Sequence, residues 1–90
     1  MLRIDPSRQA QRFLRQLTPK HGRQIAAKLL QLRADPHPPD SKGLKGFDQP
    51  YLRATVGEYR IVYRVEGDTL KIVVIGKRND DEVYRQLRRL

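Results

Sequence analysis

The chain has 90 residues, 38% hydrophobic and 32% charged, and 19 Lys+Arg against 10 Asp+Glu give a net charge of +9. A chain this short buries only about 60–65% of its unfolded surface, which excludes a second domain and a deep cleft for a large cofactor, so one domain over residues 1–90 is expected. Without cysteine there is neither a disulfide framework nor a thiolate metal centre; with no apolar run near the ~20 residues of a membrane span and no signal-like start, a cytoplasmic protein with no membrane partner is expected.

The first elements are helical. Met1-Leu2-Arg3-Ile4 alternates and predicts a short edge strand. Asp5-Pro6 then predicts an N-cap and first helical residue, because a carboxylate accepts the orphan N–H groups and proline has none to leave unpaired. Ala10, Phe13, Leu14 and Leu17 follow at helical spacing. Thr18-Pro19 repeats the cap signal before a second stripe of Ile25, Ala26, Leu29, Leu30 and Leu32. A turn this tight predicts an antiparallel helical hairpin. The prolines of Asp35-Pro36-His37-Pro38-Pro39-Asp40 stop the second helix, and residues 41–50, with Gly43 and Gly46, read as a loop.

From Tyr51 the period changes to two. Three strands are expected, at about 51–56, 59–66 and 69–75, joined by Gly57-Glu58 and Gly67-Asp68. A two-residue turn with glycine first is the type II′ signature. Pairing Val56 with Tyr59 sets Thr55 opposite Arg60 and Arg53 opposite Val62; pairing Glu66 with Thr69 sets Arg64 opposite Lys71 and Val62 opposite Val73. One face then carries Leu52, Ala54, Val56, Ile61, Tyr63, Val65, Leu70, Ile72 and Val74, and should bury against the hairpin. The other carries Tyr51, Arg53, Thr55, Arg60, Val62, Arg64, Lys71, Val73 and Ile75, an arginine-rich surface with an apolar strip. A slip of one residue would bury the arginines, so the register is well specified. Asn79 or Asp80 should cap a final helix with Asp81 and Glu82 in its first turn, followed by Val83, Tyr84, Leu87 and Leu90. The architecture expected is therefore α+β: an N-terminal strand and helical hairpin packed on an antiparallel sheet, with a C-terminal helix.

The charge is uneven. Residues 1–33 hold eight basic side chains against the one acid Asp5, and an arginine-rich chain of pI near 10.5 carries the electrostatic footprint of a nucleic-acid binder. His21 and His37 lack partners at metal-ligand spacing and read as surface residues; no metal site is expected. Nor is there a serine triad or a phosphate-binding glycine loop. RNA brings its own nucleophile, the 2′-OH beside each phosphate. A protein promotes its in-line attack by holding the strand and neutralising charge on the phosphate, and arginine's fork suits the second task. Arg53, Arg60 and Arg64 on one sheet face, with Lys77-Arg78 at its end, form such a cluster, and Tyr84 is placed to stack on a base or donate a proton.

The segments Leu44-Lys45-Gly46, Arg53-Ala54-Thr55-Val56-Gly57-Glu58-Tyr59-Arg60-Ile61-Val62-Tyr63, Gly76-Lys77-Arg78 and Glu82-Val83-Tyr84 resemble the RelE/ParE toxin superfamily, over essentially the whole chain and most strongly from Leu44 onward. The resemblance implies a RelE-like toxin of a type II toxin–antitoxin pair, a metal-independent endoribonuclease that cuts mRNA in the ribosomal A site without a cofactor. It implies that Arg60 contacts the scissile phosphate, Arg78 supports the leaving group and Tyr84 orients the substrate. Arg53 and Thr55 stand where RelE has two lysines; Arg53 keeps the charge and Thr55 does not. Further RNA contacts are expected from Lys45, Tyr51, Thr55, Arg64 and Lys77. The implied partners are mRNA on the ribosome and an acidic, RelB-like antitoxin, with DNA met only through the antitoxin complex. The alternative within the superfamily is a ParE-like toxin that inhibits DNA gyrase without cutting RNA.

Overall fold

The computed structural model describes the backbone of residues 1–90 and the side chains of all but Asp80. Strand β1 (Arg3–Pro6) leads into helices α1 (Arg8–Gln16) and α2 (Pro19–Ala34). Strands β2 (Lys42–Gly43), β3 (Leu52–Val56), β4 (Tyr59–Glu66) and β5 (Thr69–Lys77) follow. A 3₁₀ turn (Arg78–Asp80) then gives way to helix α3 (Glu82–Arg88). The sheet order is β1-β5-β4-β3-β2, with β1 parallel to β5 and the other pairs antiparallel. The α+β architecture is the one expected.

Several local readings change. Asp5-Pro6 closes β1, where proline sits on an edge strand and forfeits no needed donor; Ser7 is the N-cap instead, its hydroxyl accepting from the Ala10 N–H at 3.1 Å. Thr18-Pro19 does open α2, although the Thr18 side chain makes no capping bond. Ile25, Leu29 and Leu32 are buried, whereas Ala26 and Leu30 face solvent. The expected loop over 41–50 contains β2, a two-residue strand that pairs Lys42 with Arg53. His21 is half-buried rather than a surface residue, its Nδ1 2.7 Å from the Tyr59 hydroxyl.

The β3–β4 register is the one expected, and positive φ falls on Gly57 and Gly67 but not on Glu58 or Asp68, as a II′ turn requires. Between β4 and β5 the pairing runs true from Glu66–Thr69 to Arg64–Lys71, then a bulge intervenes. Tyr63 stays opposite Ile72 but Val62 moves opposite Val74, leaving Val73 as the extra residue. The expected Val62–Val73 pair is thereby lost, and Val74 and Ile75 exchange faces: Ile75 packs with the hairpin and Val74 on the far side. The bulge falls where β1 ends. Beyond it the Ser7 hydroxyl donates to the Val73 carbonyl (2.7 Å), and the Gln9 amide donates to Ile75 O (2.7 Å) and accepts from Ile75 N (2.9 Å). Side chains of α1 thus continue the hydrogen bonding that β1 leaves off.

The sheet is covered on both faces. Ala10, Ile25, Leu29 and Leu32 pack against Ala54, Ile61, Tyr63, Leu70, Ile72 and Ile75. On the opposite face Val83 and Leu87 of α3 close over Val62 and Val74. The arginine-bearing face is therefore not an open surface but is half roofed by α3. Gly76 permits this close approach: a Cβ there would stand 3.1 Å from Val83 Cγ1. The cap of α3 is Asp81, in the left-handed region at φ 51°, rather than Asn79 or Asp80. Hydrogen bonds from Gln86 and Arg85 hold the Glu82 carboxyl in its first turn below the usual carboxylate range.

Tyr63 is fully buried and donates to the Pro36 carbonyl at 2.6 Å, fastening the proline loop to the sheet. Tyr63→Phe should cost about 1–2 kcal/mol at neutral pH, since it leaves that carbonyl without its donor. Burial raises the Tyr63 phenol above its ordinary value. A raised value in the folded state means stability present at lower pH and lost as pH climbs past the unfolded value of about 10. Urea titrations at pH 7 and pH 10.5 should show a smaller alkaline loss for Tyr63→Phe than for the natural chain.

Candidate functional site

Because the Gly57-Glu58 turn fixes the β3–β4 register, Arg53, Thr55 and Arg60 share one sheet face, with Thr55 directly opposite Arg60. Helix α3 crosses that face and brings Tyr84 to the two arginines. The Tyr84 hydroxyl accepts from Arg53 Nη1 at 2.7 Å and from Arg60 Nη1 at 3.0 Å. The Arg60 guanidinium carbon also lies 5.5 Å from the centre of the Tyr84 ring, within cation–π range. Both guanidiniums thus converge on one oxygen, whose own hydrogen meets no acceptor among the described residues.

Arg60 Nε is buried and has no hydrogen-bond partner among the described residues. A buried donor left unpaired costs about 1–3 kcal/mol. No external oxygen reaches that atom, so the Nη arms of Arg60 are the part of the fork that can meet a phosphate.

Arg53 and Tyr84 line a shallow hollow of about 350 Å³ with Lys42, Lys45, Phe47 and Arg88 on its walls. Lys45 accordingly joins Arg53 and Tyr84. Lys77 and Arg78 are not in that hollow but line a separate one of about 330 Å³ with Glu58 and Asn79. They lie next to Arg60 along the sheet, since Arg60 pairs with Gly76, and the Arg78 N–H donates to the Glu58 carbonyl at 3.0 Å. Arg64 and Tyr51 are placed apart, in a third hollow of about 320 Å³ that includes Lys71. Arg64 and Lys71 stand opposite each other, each with its own acid: Lys71 pairs with Asp5 at 2.6 Å and Arg64 with Glu66 at 3.1 Å. Arg8, Arg12, Arg15 and Arg23 are exposed on the hairpin, across the sheet from Tyr84.

Lys42, Phe47 and Arg88 were not among the expected site residues. Arg88 stands one turn beyond Tyr84, a spacing that helical periodicity marks. Lys42 arrives through a two-residue strand, and Phe47 through a loop, neither of which leaves a periodic signal. Among the described residues no group of three or more His, Asp or Glu could hold a metal ion, and no helix is long and apolar enough to cross a membrane.

Residues 4–82 match the family model described as the ParE toxin of type II toxin–antitoxin system, parDE. Tyr84 lies just beyond that segment. No curated protein matches the chain. Among solved structures, the archaeal RelE–RelB complex from Pyrococcus horikoshii is similar at 26% identity and TM-score 0.76, over 88% of this chain and 97% of that one. The isolated Escherichia coli RelE toxin superposes with TM-score 0.75 at 22% identity, over 99% of this chain and 97% of its own. The RelB–RelE complex from Methanococcus jannaschii gives TM-score 0.67 at 22% identity, over 93% and 98% respectively.

Proposed function

Because this chain belongs to the ParE toxin family of type II toxin–antitoxin systems, within the RelE/ParE superfamily, we propose that it is a ribosome-dependent endoribonuclease that cuts mRNA in the A site. The observation that carries this reading is the convergence of Arg53 and Arg60 on the Tyr84 hydroxyl. In the reaction the 2′-oxygen attacks the adjacent phosphorus and the bond to the 5′-oxygen breaks. The products are a 2′,3′-cyclic phosphate and a 5′-hydroxyl end. Arg60 and Arg53 neutralise the charge that grows on the phosphate oxygens. Tyr84 holds their forks in register and presents its own hydrogen. Arg78, two residues beyond the Gly76 that pairs with Arg60, supports the departing oxygen. Arginine cannot shed a proton, so the 2′-OH proton passes to water and the departing 5′-oxygen takes one back from water. A hollow walled by cations disfavours a divalent ion, so cleavage needs no metal.

Purified protein added to translating ribosomes should cut mRNA in the presence of EDTA and leave a 2′,3′-cyclic phosphate or 3′-phosphate. Arg78→Ala, at an exposed position, should lower cleavage about 10²-fold with little change in melting temperature. The match to a ParE toxin model favours gyrase inhibition as the second reading. Loss of gyrase supercoiling with no cut in mRNA would establish it and end the first.

The partner follows from the family and from charge. The Pyrococcus horikoshii and Methanococcus jannaschii relatives were crystallised as RelE–RelB complexes. A protein of net charge +9 suits an acidic, RelB-like antitoxin that orders on binding and covers the cationic hollow. DNA would be contacted through that complex.

A further inference from the structure

We propose that Phe47 and Tyr51 form a stacking track that leads single-stranded RNA away from the Arg53–Tyr84 hollow, each ring taking one base; the inference rests on the nuclease reading for its choice of ligand. The hollow that holds Arg53 and Tyr84 is the first of three in a row. Phe47 and Arg88 form a wall shared with a second hollow of about 530 Å³. Tyr51 and Leu90 form a wall shared between that one and the third, of about 320 Å³, where Arg64 and Lys71 lie. The two aromatic rings are thus the partitions of a continuous groove. Their centres are 5.6 Å apart, edge to face at 76°.

Both rings rest partly on the Val62, Val74, Val83 and Leu87 cluster and are only half-buried. Gly46, in the left-handed region at φ 86°, turns the chain just before Phe47. The Leu44 N–H donates to the Tyr51 carbonyl at 2.9 Å and clamps the two ends of the loop. The rings are therefore held on a braced loop, which lowers the cost of ordering them on binding.

The charge along the groove selects the ligand. Lys45 and Arg53 stand at one end and Arg88 in the middle, while at the other end Arg64 is paired with Glu66 and Lys71 with Asp5. Asp48 is the acid of the middle hollow and Asp5 that of the last, the latter neutralised by Lys71. Cations alternating with aromatic rings are the means by which proteins hold single strands, the cations tracking phosphates and the rings taking bases. An acidic peptide would use the cations but not the rings.

The test uses fluorescein-labelled 2′-O-methyl hexa-adenylate and hexa-uridylate, which lack the nucleophile and are not cut, with binding read by anisotropy on the full chain. Phe47→Leu should weaken hexa-adenylate binding about tenfold and erase the preference over hexa-uridylate, whereas Phe47→Trp should bind at least as tightly as the natural chain. Arg88→Gln should reduce the slope of log K against log salt by about 0.7. Equal affinities for the Phe47→Leu and Phe47→Trp chains would overturn the track, because packing under the ring would then be its whole role. Competition by poly-glutamate as effective as by unlabelled oligonucleotide would also overturn it, the groove then being a site for acidic protein. Phe47-dependent binding in a protein that fails to cut mRNA on ribosomes would end the nuclease reading and leave the track standing. Cleavage with no dependence of binding on Phe47 would do the reverse.

Discussion

Arg60→Ala is expected to lower mRNA cleavage on translating ribosomes by about 10²–10³-fold, the loss typical of removing a preorganised donor to a developing oxyanion. Arg60 sits on β4, whose register is fixed on both sides by antiparallel neighbours, so its fork is delivered to Tyr84 by an interior strand of the sheet. One arm of that fork is spent on Tyr84 and Nε is unspent. Stability should change little, because the substitution removes an unsatisfied donor along with one hydrogen bond. Arg60→Lys should fail to restore cleavage, since a single ammonium cannot bond Tyr84 and a phosphate oxygen in the same fixed geometry. Single-turnover cleavage beside a thermal melt checks both points. Cleavage within tenfold of the natural chain, or a melting temperature that collapses with activity, would show that Arg60 has a structural task instead.

The half of this site that rests on β3 and β4 was legible in the sequence. A two-residue glycine turn leaves one register, and that register places Arg53, Thr55 and Arg60 on one face whatever the rest of the chain does. The half that depends on β5 and α3 was legible only in outline. Val73, Val74 and Ile75 are three consecutive branched apolar residues that fill either register equally well. Ser7 and Gln9, 66 residues earlier, hydrogen-bond the backbone on either side of the bulge. Asp80, Asp81 and Glu82 all look like helix-start residues, and nothing local separates them. The start of α3 is placed by the approach of Val83 to Gly76, a contact between segments. Lys42 and Phe47 illustrate the same limit: both reach the hollow through backbone pairing and a braced turn, which leave no pattern in side-chain type.

The dependence of two arginines on one phenolic oxygen leads to the other large effect. Tyr84→Phe should lower cleavage by at least about 10²-fold while leaving the fold nearly as stable. The phenyl ring left by this substitution would keep its packing beside Val62, Val74, Val83 and Leu87 and its place under the Arg60 guanidinium. What disappears is the acceptor that Arg53 and Arg60 share, across sequence separations of 31 and 24 residues. Two like charges brought together without a common acceptor repel, so each side chain turns toward water and the phosphate meets two mobile cations in place of one fixed pair. The hydroxyl hydrogen available to the reacting strand is lost as well. Tyr84→Leu separates the remaining contribution, because it removes ring and hydroxyl together. If base stacking were the main task of Tyr84, the Tyr84→Phe chain would cut mRNA almost as fast as the natural chain and Tyr84→Leu alone would fail. The hydrogen-bonding task requires the two variants to fail alike, with both still folded by circular dichroism.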